Sequence, residues 1–279
     1  MENTNEISKN KKEQIAIAIG FLLILIVILI TLFRSNLFSG EDDAQNEGQI
    51  VKEDNGLEYK AITAKDLHKK ILLAEENEQP VLLDIRPFQT YADEHIADAI
   101  NITPEEFPLE QKIDLHKSII VIGENPEDEN IKKTITQLEK EDFKNFMVLA
   151  GGMEAWKQLV GVTVNYGNPN SFEDQMKVSY VEGKDLNDAL KQNVPTFILD
   201  VRTAEEYAKG HIPGAINIPA EELEKRRKEI TEKRVVVVGI NELQEFQSSV
   251  QIYDMLLVSP FVLNGAMPEW EKNGYLIQK

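Results

Sequence analysis

The chain repeats itself, and this duplication limits its folds more than any other feature. The run VLLDIRPFQTYADEHIADAINI, residues 81–102, aligns without a gap with FILDVRTAEEYAKGHIPGAINI, residues 197–218. Asp84, Arg86, Tyr91, Ala92, His95, Ile96, Ala99, Ile100, Asn101 and Ile102 each recur 116 positions later. The same offset carries Ile120-Val121-Ile122-Gly123 onto Val236-Val237-Val238-Gly239. After a two-residue adjustment, VLAGGMEAW (148–156) meets VLNGAMPEW (262–270). Chance does not hold one register for so long. The chain is a tandem of two domains of one design, and 279 residues suffice for two cores.

Each copy alternates short apolar runs with helix-like segments. Val81–Ile85, Ser118–Ile122 and Phe146–Leu149 read as strands of the first copy, with Thr196–Val201 and Val235–Val238 in the second. Ile131, Ile135 and Leu138 recur at helical spacing, and helices are expected over Met153–Val160 and from Leu243 to Leu256. Thr203-Ala204-Glu205-Glu206 has the capping-box pattern that opens a helix directly after a strand. This alternation predicts an α/β fold, with a parallel sheet covered by helices on both faces in each copy. Ligands of such sheets bind beyond the carboxyl ends of the strands.

Composition removes several functions. There is no cysteine, which excludes disulfides, thiolate metal sites and thiol catalysis. His68, His95, His116 and His211 lack metal-ligand spacing, so no metal is expected. No Gly-rich phosphate loop is present, and no cofactor is expected. A net charge of −18 argues against a nucleic-acid partner, whose phosphates need Lys and Arg.

Ile15 to Phe33 is an uncharged apolar run of 19 residues. At 1.5 Å per residue, about 20 residues cross a bilayer core. The run exceeds the apolar region of a cleaved signal peptide and meets Arg34 with no small-residue cleavage pattern, so an uncleaved membrane anchor is expected. Lys9, Lys11 and Lys12 precede it, while acidic residues 41–43 follow. The positive-inside bias then places residues 1–14 in the cytoplasm and both domains outside the cell membrane. Residues 34–57 read as a tether, 58–163 as the first domain, 164–176 as a linker and 177–279 as the second domain.

These residues resemble the rhodanese family. Its signature is an Asp-x-Arg at a strand end, an aromatic residue, then Gly-His-Ile-Pro-Gly-Ala-x-Asn-Ile. The second copy carries it whole, from Asp200 and Arg202 through Tyr207 and Gly210 to Ala215. The first keeps Asp84, Arg86, Tyr91, His95 and Ala99 but has Glu94 for the first Gly and Ala97-Asp98 for Pro-Gly. The closing Gly-Gly-x-x-x-Trp appears as Gly151, Gly152 and Trp156, and partly as Gly265, Ala266 and Trp270. Asp84, Arg86, His95, Asp200, Arg202 and His211 are expected to brace loops, and both Trp residues to lie in the core.

The resemblance implies a Cys after the central strand, carrying sulfur as a persulfide in a loop of backbone N–H groups. Here those positions are Gly123 and Gly239, and neither can act as a nucleophile. Glu124, Glu127, Asp128 and Glu129 follow the first glycine, and no Lys or Arg follows the second until Lys272. An anionic sulfur donor is repelled from the first loop. Ser248 and Ser249, the nearest hydroxyls of the second copy, are expected on a helix surface. The expectation is a membrane-anchored binding or interaction module with a protein partner, using the acidic loop Glu124–Glu129. The alternatives are a sulfurtransferase that borrows a partner's thiol, and a structural spacer in a membrane complex.

Overall fold

The computed structural model describes residues 48–52, 58–109 and 112–279. The expected anchor at 15–33 and its cytoplasmic flank lie outside the described residues. Among the described residues no helix is long and apolar enough to cross a membrane.

Eleven described strands form two sheets. In chain order they are β1 (Gln49–Lys52), β2 (Glu58–Ile62), β3 (Val81–Asp84), β4 (Ile100–Asn101), β5 (Ile119–Ile122), β6 (Phe146–Leu149), β7 (Ser179–Val181), β8 (Phe197–Asp200), β9 (Ile216–Asn217), β10 (Val235–Val238) and β11 (Phe261–Leu263). The first sheet runs β1-β2-β6-β5-β3-β4 and the second β7-β11-β10-β8-β9. Every pairing is parallel except β1 with β2. Removing β1 leaves two identical orders, and the 116-residue offset survives in the ladders. Asp84 pairs with Ile122, and Asp200 with Val238.

The central strands explain their own composition. Ile119–Ile122 and Val235–Val238 are buried at every residue, since helices cover both sheet faces. Continuous β-branched runs suit strands with no wet face. Trp156 and Trp270 lie in the cores, each 2% exposed. Thr203 and Glu206 close the expected capping box on the helix Ala204–Lys209.

Two expectations need correction. Residues 49–52, read as tether, form β1, antiparallel to β2. The outer edge of β2 offers unpaired N–H and C=O groups, and the β-branched pair Ile50-Val51 can cover it. Ser248 and Ser249 are not on a helix surface: they are 1% and 0% exposed. Their helix, Glu242–Leu256, packs on its sheet and is also crossed by the chain near Gly167. A Cβ on Gly167 would come within 3.0 Å of the Val250 side chain. A helix covered on two sides buries small polar residues that a one-faced pattern assigns to solvent.

The two domains belong to one compact unit, Gly48–Lys279. Glu224 of the second bonds His95 Nε2 at 3.0 Å and the backbone N–H of Asp98 at 2.6 Å. Arg227 pairs with the Asp98 carboxylate at 2.8 Å. Asp98 has φ 66° where the second copy has Gly214 at φ 81°. Asp tolerates this left-handed conformation better than most residues, and its side chain supplies an inter-domain ion pair that Gly cannot. One departure from the repeat thus adds an ion pair to the domain contact.

Candidate functional site

Each Asp-x-Arg forms a closed clamp at the end of a sheet strand. Arg86 donates from Nε to Asp84 Oδ1 at 3.0 Å and from Nη2 to Oδ2 at 2.7 Å. Its Nη2 also bonds the Glu94 carbonyl, across the following helix. Arg202 repeats this on Asp200 at 3.0 and 2.6 Å, with Gly210 as the carbonyl partner. All four residues are at most 6% exposed. Fork-to-fork pairing fixes the loop geometry, and removing either partner would strand a buried charge. Asn101 and Asn217 each donate to the two carbonyls flanking their clamp.

The histidines are bonded into the same turns. His95 stacks on Tyr91 at 4.0 Å between ring centres, and His211 on Tyr207 at 3.8 Å. Each Nδ1 faces the carbonyl of that tyrosine, which can only accept, so Nδ1 carries the hydrogen. His95 Nε2 faces Glu224 Oε1 of the second domain at 3.0 Å, so this turn also meets the other domain. Backbone bonds from His95 to Val164 and from His211 to Gln278 tie these turns to the ends of their domains.

Gly123 and Gly239 fall at equivalent points, one residue beyond the central strands β5 and β10. A side chain would be crowded at both, more so at Gly239. A Cβ on Gly123 would lie 3.0 Å from the Ile131 side chain and 3.1 Å from Asp128 Oδ2. On Gly239 it would lie 2.8 Å from Glu245 Cγ and 3.2 Å from the Glu245 backbone nitrogen.

The N–H groups that open these loops already have partners. In the second copy Glu245 turns back and accepts from Gly239 N at 2.8 Å, while Gln244 Oε1 accepts from Ile240 N at 2.9 Å. In the first, Asp128 Oδ2 accepts from Glu124 N at 3.2 Å and caps the helix Glu129–Lys140. Side-chain oxygens of the chain itself thus occupy these amides. Burial pushes the Glu245 carboxyl up to about 9, with Glu242 and Asp200 adding to the rise and the Gly239 N–H opposing it. Its second oxygen has no hydrogen-bond partner, and neither do the hydroxyls of Ser248 and Ser249.

The four acidic residues after Gly123 do not converge. Glu124 pairs with Arg86 at 3.0 Å and lies 4.0 Å from Lys157. Asp128 is the helix cap, while Glu127 and Glu129 are exposed. Among the described residues no group of His, Asp and Glu could hold a metal ion. A concavity lies elsewhere, between the domains. It is a cleft of about 760 Å³, walled by Phe88 and Tyr91 of the first domain, by Tyr166 beyond it and by Ile240, Leu243 and Ser248 of the second. Sequence reasoning missed both the Glu245 plug and this cleft. Glu245 carries a faint signal, an acid in the first turn of a helix that directly follows the degenerate position.

Comparison with known proteins agrees with the duplicated architecture. The rhodanese-like domain model matches residues 63–159 and 182–273, together more than half of the chain. The putative sulfur carrier protein YrkF of Bacillus subtilis is 31% identical over 87 residues, covering 31% of this chain and 47% of that protein. An HTH-type transcriptional regulator of Mycobacterium tuberculosis is 58% identical over 40 residues, covering 14% of this chain and 18% of the regulator. The chain thus spans less than half the length of these curated relatives. Among solved structures, a thiosulfate sulfurtransferase of Pseudomonas aeruginosa matches 78% of this chain and 43% of its own, at 20% identity and a TM-score of 0.41. The strand order common to both sheets, the paired Asp-x-Arg clamps and the two family-model matches have one explanation: this chain belongs to the rhodanese-like family, with the domain present twice and a cysteine in neither copy.

Proposed function

We propose that the protein is a non-catalytic binding module, held at the cell membrane by residues 15–33 with both domains outside. The observation that carries this reading is the filling of both former sulfur positions. Glycine replaces the nucleophile, a Cβ would be crowded at both positions, and the chain's own carboxylates hold the first loop amides. A loop closed in this way offers an anionic donor no thiolate, and the amides of Glu124, Gly239 and Ile240 are already taken. A rigid scaffold still displays its loops, and binding sites concentrate on such loops. The net charge of −18 favours a basic protein segment as partner and disfavours nucleic acid.

The test is sulfur transfer from thiosulfate to cyanide by the purified chain. No turnover above buffer is expected, and no protein persulfide by intact mass. Clear turnover would overturn the reading. The kinship with a named sulfur carrier favours one rival, transfer to a thiol supplied by a partner. Repeating the assay with a small-molecule thiol covers it, and no acceleration above the thiol alone is expected.

The anchor has its own test. Protease added outside intact cells or spheroplasts should digest the chain beyond about residue 40, just after the apolar run. Full protection with the membrane intact would refute the outside placement.

A further inference from the structure

We propose that Asn273-Gly274 is a site of spontaneous deamidation, placed at the hinge of a C-terminal strap that braces the His211 turn. This does not depend on the binding-module reading. An asparagine followed by glycine can close a ring on the next backbone nitrogen, because no side chain shields it. Among the described residues two such pairs occur, Asn264-Gly265 and Asn273-Gly274. The fold treats them differently. Asn264 is held between a strand and a helix: its N–H bonds the Val181 carbonyl at 3.0 Å, and its Nδ2 donates to Glu182 Oε1 at 2.6 Å. The Gly265 N–H, which would have to attack, donates to Glu242 Oε1 at 3.2 Å. Asn273 and Gly274 are both exposed, at the end of the helix Ala266–Lys272. Asn273 Nδ2 donates to the Glu269 carbonyl at 2.8 Å and the Gly274 N–H to the Glu271 carbonyl at 2.9 Å. These partners belong to the last turn, and helix ends fray without disturbing a core. The space at Gly274 is open, since an added Cβ would meet nothing within 4 Å.

In the reaction the Gly274 nitrogen gives its proton to solvent base and attacks Asn273 Cγ. The bond from Cγ to the side-chain nitrogen breaks, and that nitrogen leaves as ammonia. Water then opens the cyclic imide at either carbonyl, giving Asp, or isoAsp with the backbone routed through the side chain. One water is taken up, one ammonia is released, and nothing is oxidised or reduced. The position gives this a structural consequence. Beyond Gly274 the chain folds back on its domain: Tyr275 packs on Trp270 at 4.8 Å between ring centres, and the Leu276 carbonyl accepts from Trp270 Nε1 at 3.1 Å. Gln278 exchanges two backbone bonds of 2.9 Å with His211. An acid at position 273 loses the donor to the Glu269 carbonyl and puts negative charge at a helix C-terminus, where the macrodipole opposes it. The isoAsp form also lengthens the backbone immediately before Tyr275, so the strap no longer meets the His211 turn in register.

Peptide mapping by mass spectrometry tests this on the full chain in detergent, incubated warm at mildly alkaline pH. Asp and isoAsp forms at position 273 should both accumulate. Conversion of Asn264 should be at least about tenfold slower, because its sheet and side-chain bonds must open first. In urea, where the fold no longer separates the two positions, their rates should be similar. Asn55-Gly56 lies outside the described residues and is read as a separate peptide. Equal rates at 264 and 273 in the folded chain, a faster rate at 264, or no conversion at 273 would each overturn the proposal. So would an Asp form without isoAsp, since opening of the ring yields both. Asn273→Gln should abolish the modified species, because its longer side chain closes a less favourable ring. The aged wild type should melt about 2–4 °C lower than the fresh protein, while aged Asn273→Gln keeps its starting midpoint. A wild type converted at 273 with its midpoint unchanged would refute the hinge.

Discussion

Replacing Glu245 with Gln is expected to remove a pH dependence of stability that the wild type shows across the neutral range. The Glu245 carboxyl is 0% exposed, and burial raises it from an ordinary 4.5 to about 9. Between these values the folded chain holds a proton that the unfolded chain has released. Stability from this site is therefore complete below about pH 4.5, falls as pH rises, and is gone above about pH 9. The slope in that window approaches about 1.4 kcal/mol per pH unit, or about 4 kcal/mol between pH 5 and 8. Gln has the same shape and keeps an oxygen for the Gly239 N–H, but it does not titrate. Chemical denaturation of both proteins at several pH values isolates the difference, because every other group is common to the two. Parallel stability profiles would show that Glu245 is not buried as described.

The same residue shows where sequence reading stops. The duplication, the strand order and the clamps were legible because they rest on local rules. Alternating runs mark strands, Thr203 and Glu206 mark a helix start, and a repeated Asp-x-Arg marks a repeated turn. The vacancy at Gly123 and Gly239 was legible too, since a glycine is plainly not a thiol. What fills the vacancy was not. Glu245 looks like a solvent-facing acid in the first turn of a helix, and only the fold shows its side chain turned under the loop.

Burial of Ser248 and Ser249 depends on the chain near Gly167 crossing their helix. That is a contact between segments about 80 residues apart, with no trace in helical periodicity. The pairing of Asp98 with Arg227 is equally non-local. In sequence, Asp98 reads only as decay of the Pro-Gly step, whereas in the structure it is half of a domain contact. The acidic loop misled in the opposite direction. Its charges run together in sequence, yet Glu124 and Asp128 are consumed by Arg86 and by a helix cap.

The proposed binding module keeps a rhodanese-like frame and fills the loop where a family cysteine would stand. Restoring a cysteine to that place tests it most directly. Gly239→Cys supplies a sulfur atom to a site where even a Cβ lies 2.8 Å from Glu245 Cγ. The side chain must displace Glu245 or distort the loop, a strain of about 1–3 kcal/mol. No cation follows in the chain before Lys272, so the loop itself supplies none to favour the thiolate or an anionic donor. Replacing residues 239–245 with the loop of an active family member, Cys and Arg included, removes the plug and supplies both. The Asp200–Arg202 clamp and the His211 turn that support the loop remain intact. Initial rates of thiocyanate formation from thiosulfate and cyanide should stay at background for the wild type and for Gly239→Cys, and should rise clearly only in the graft. If Gly239→Cys alone matched the graft, the loop would still be open and competent, and the account of a closed site would be wrong.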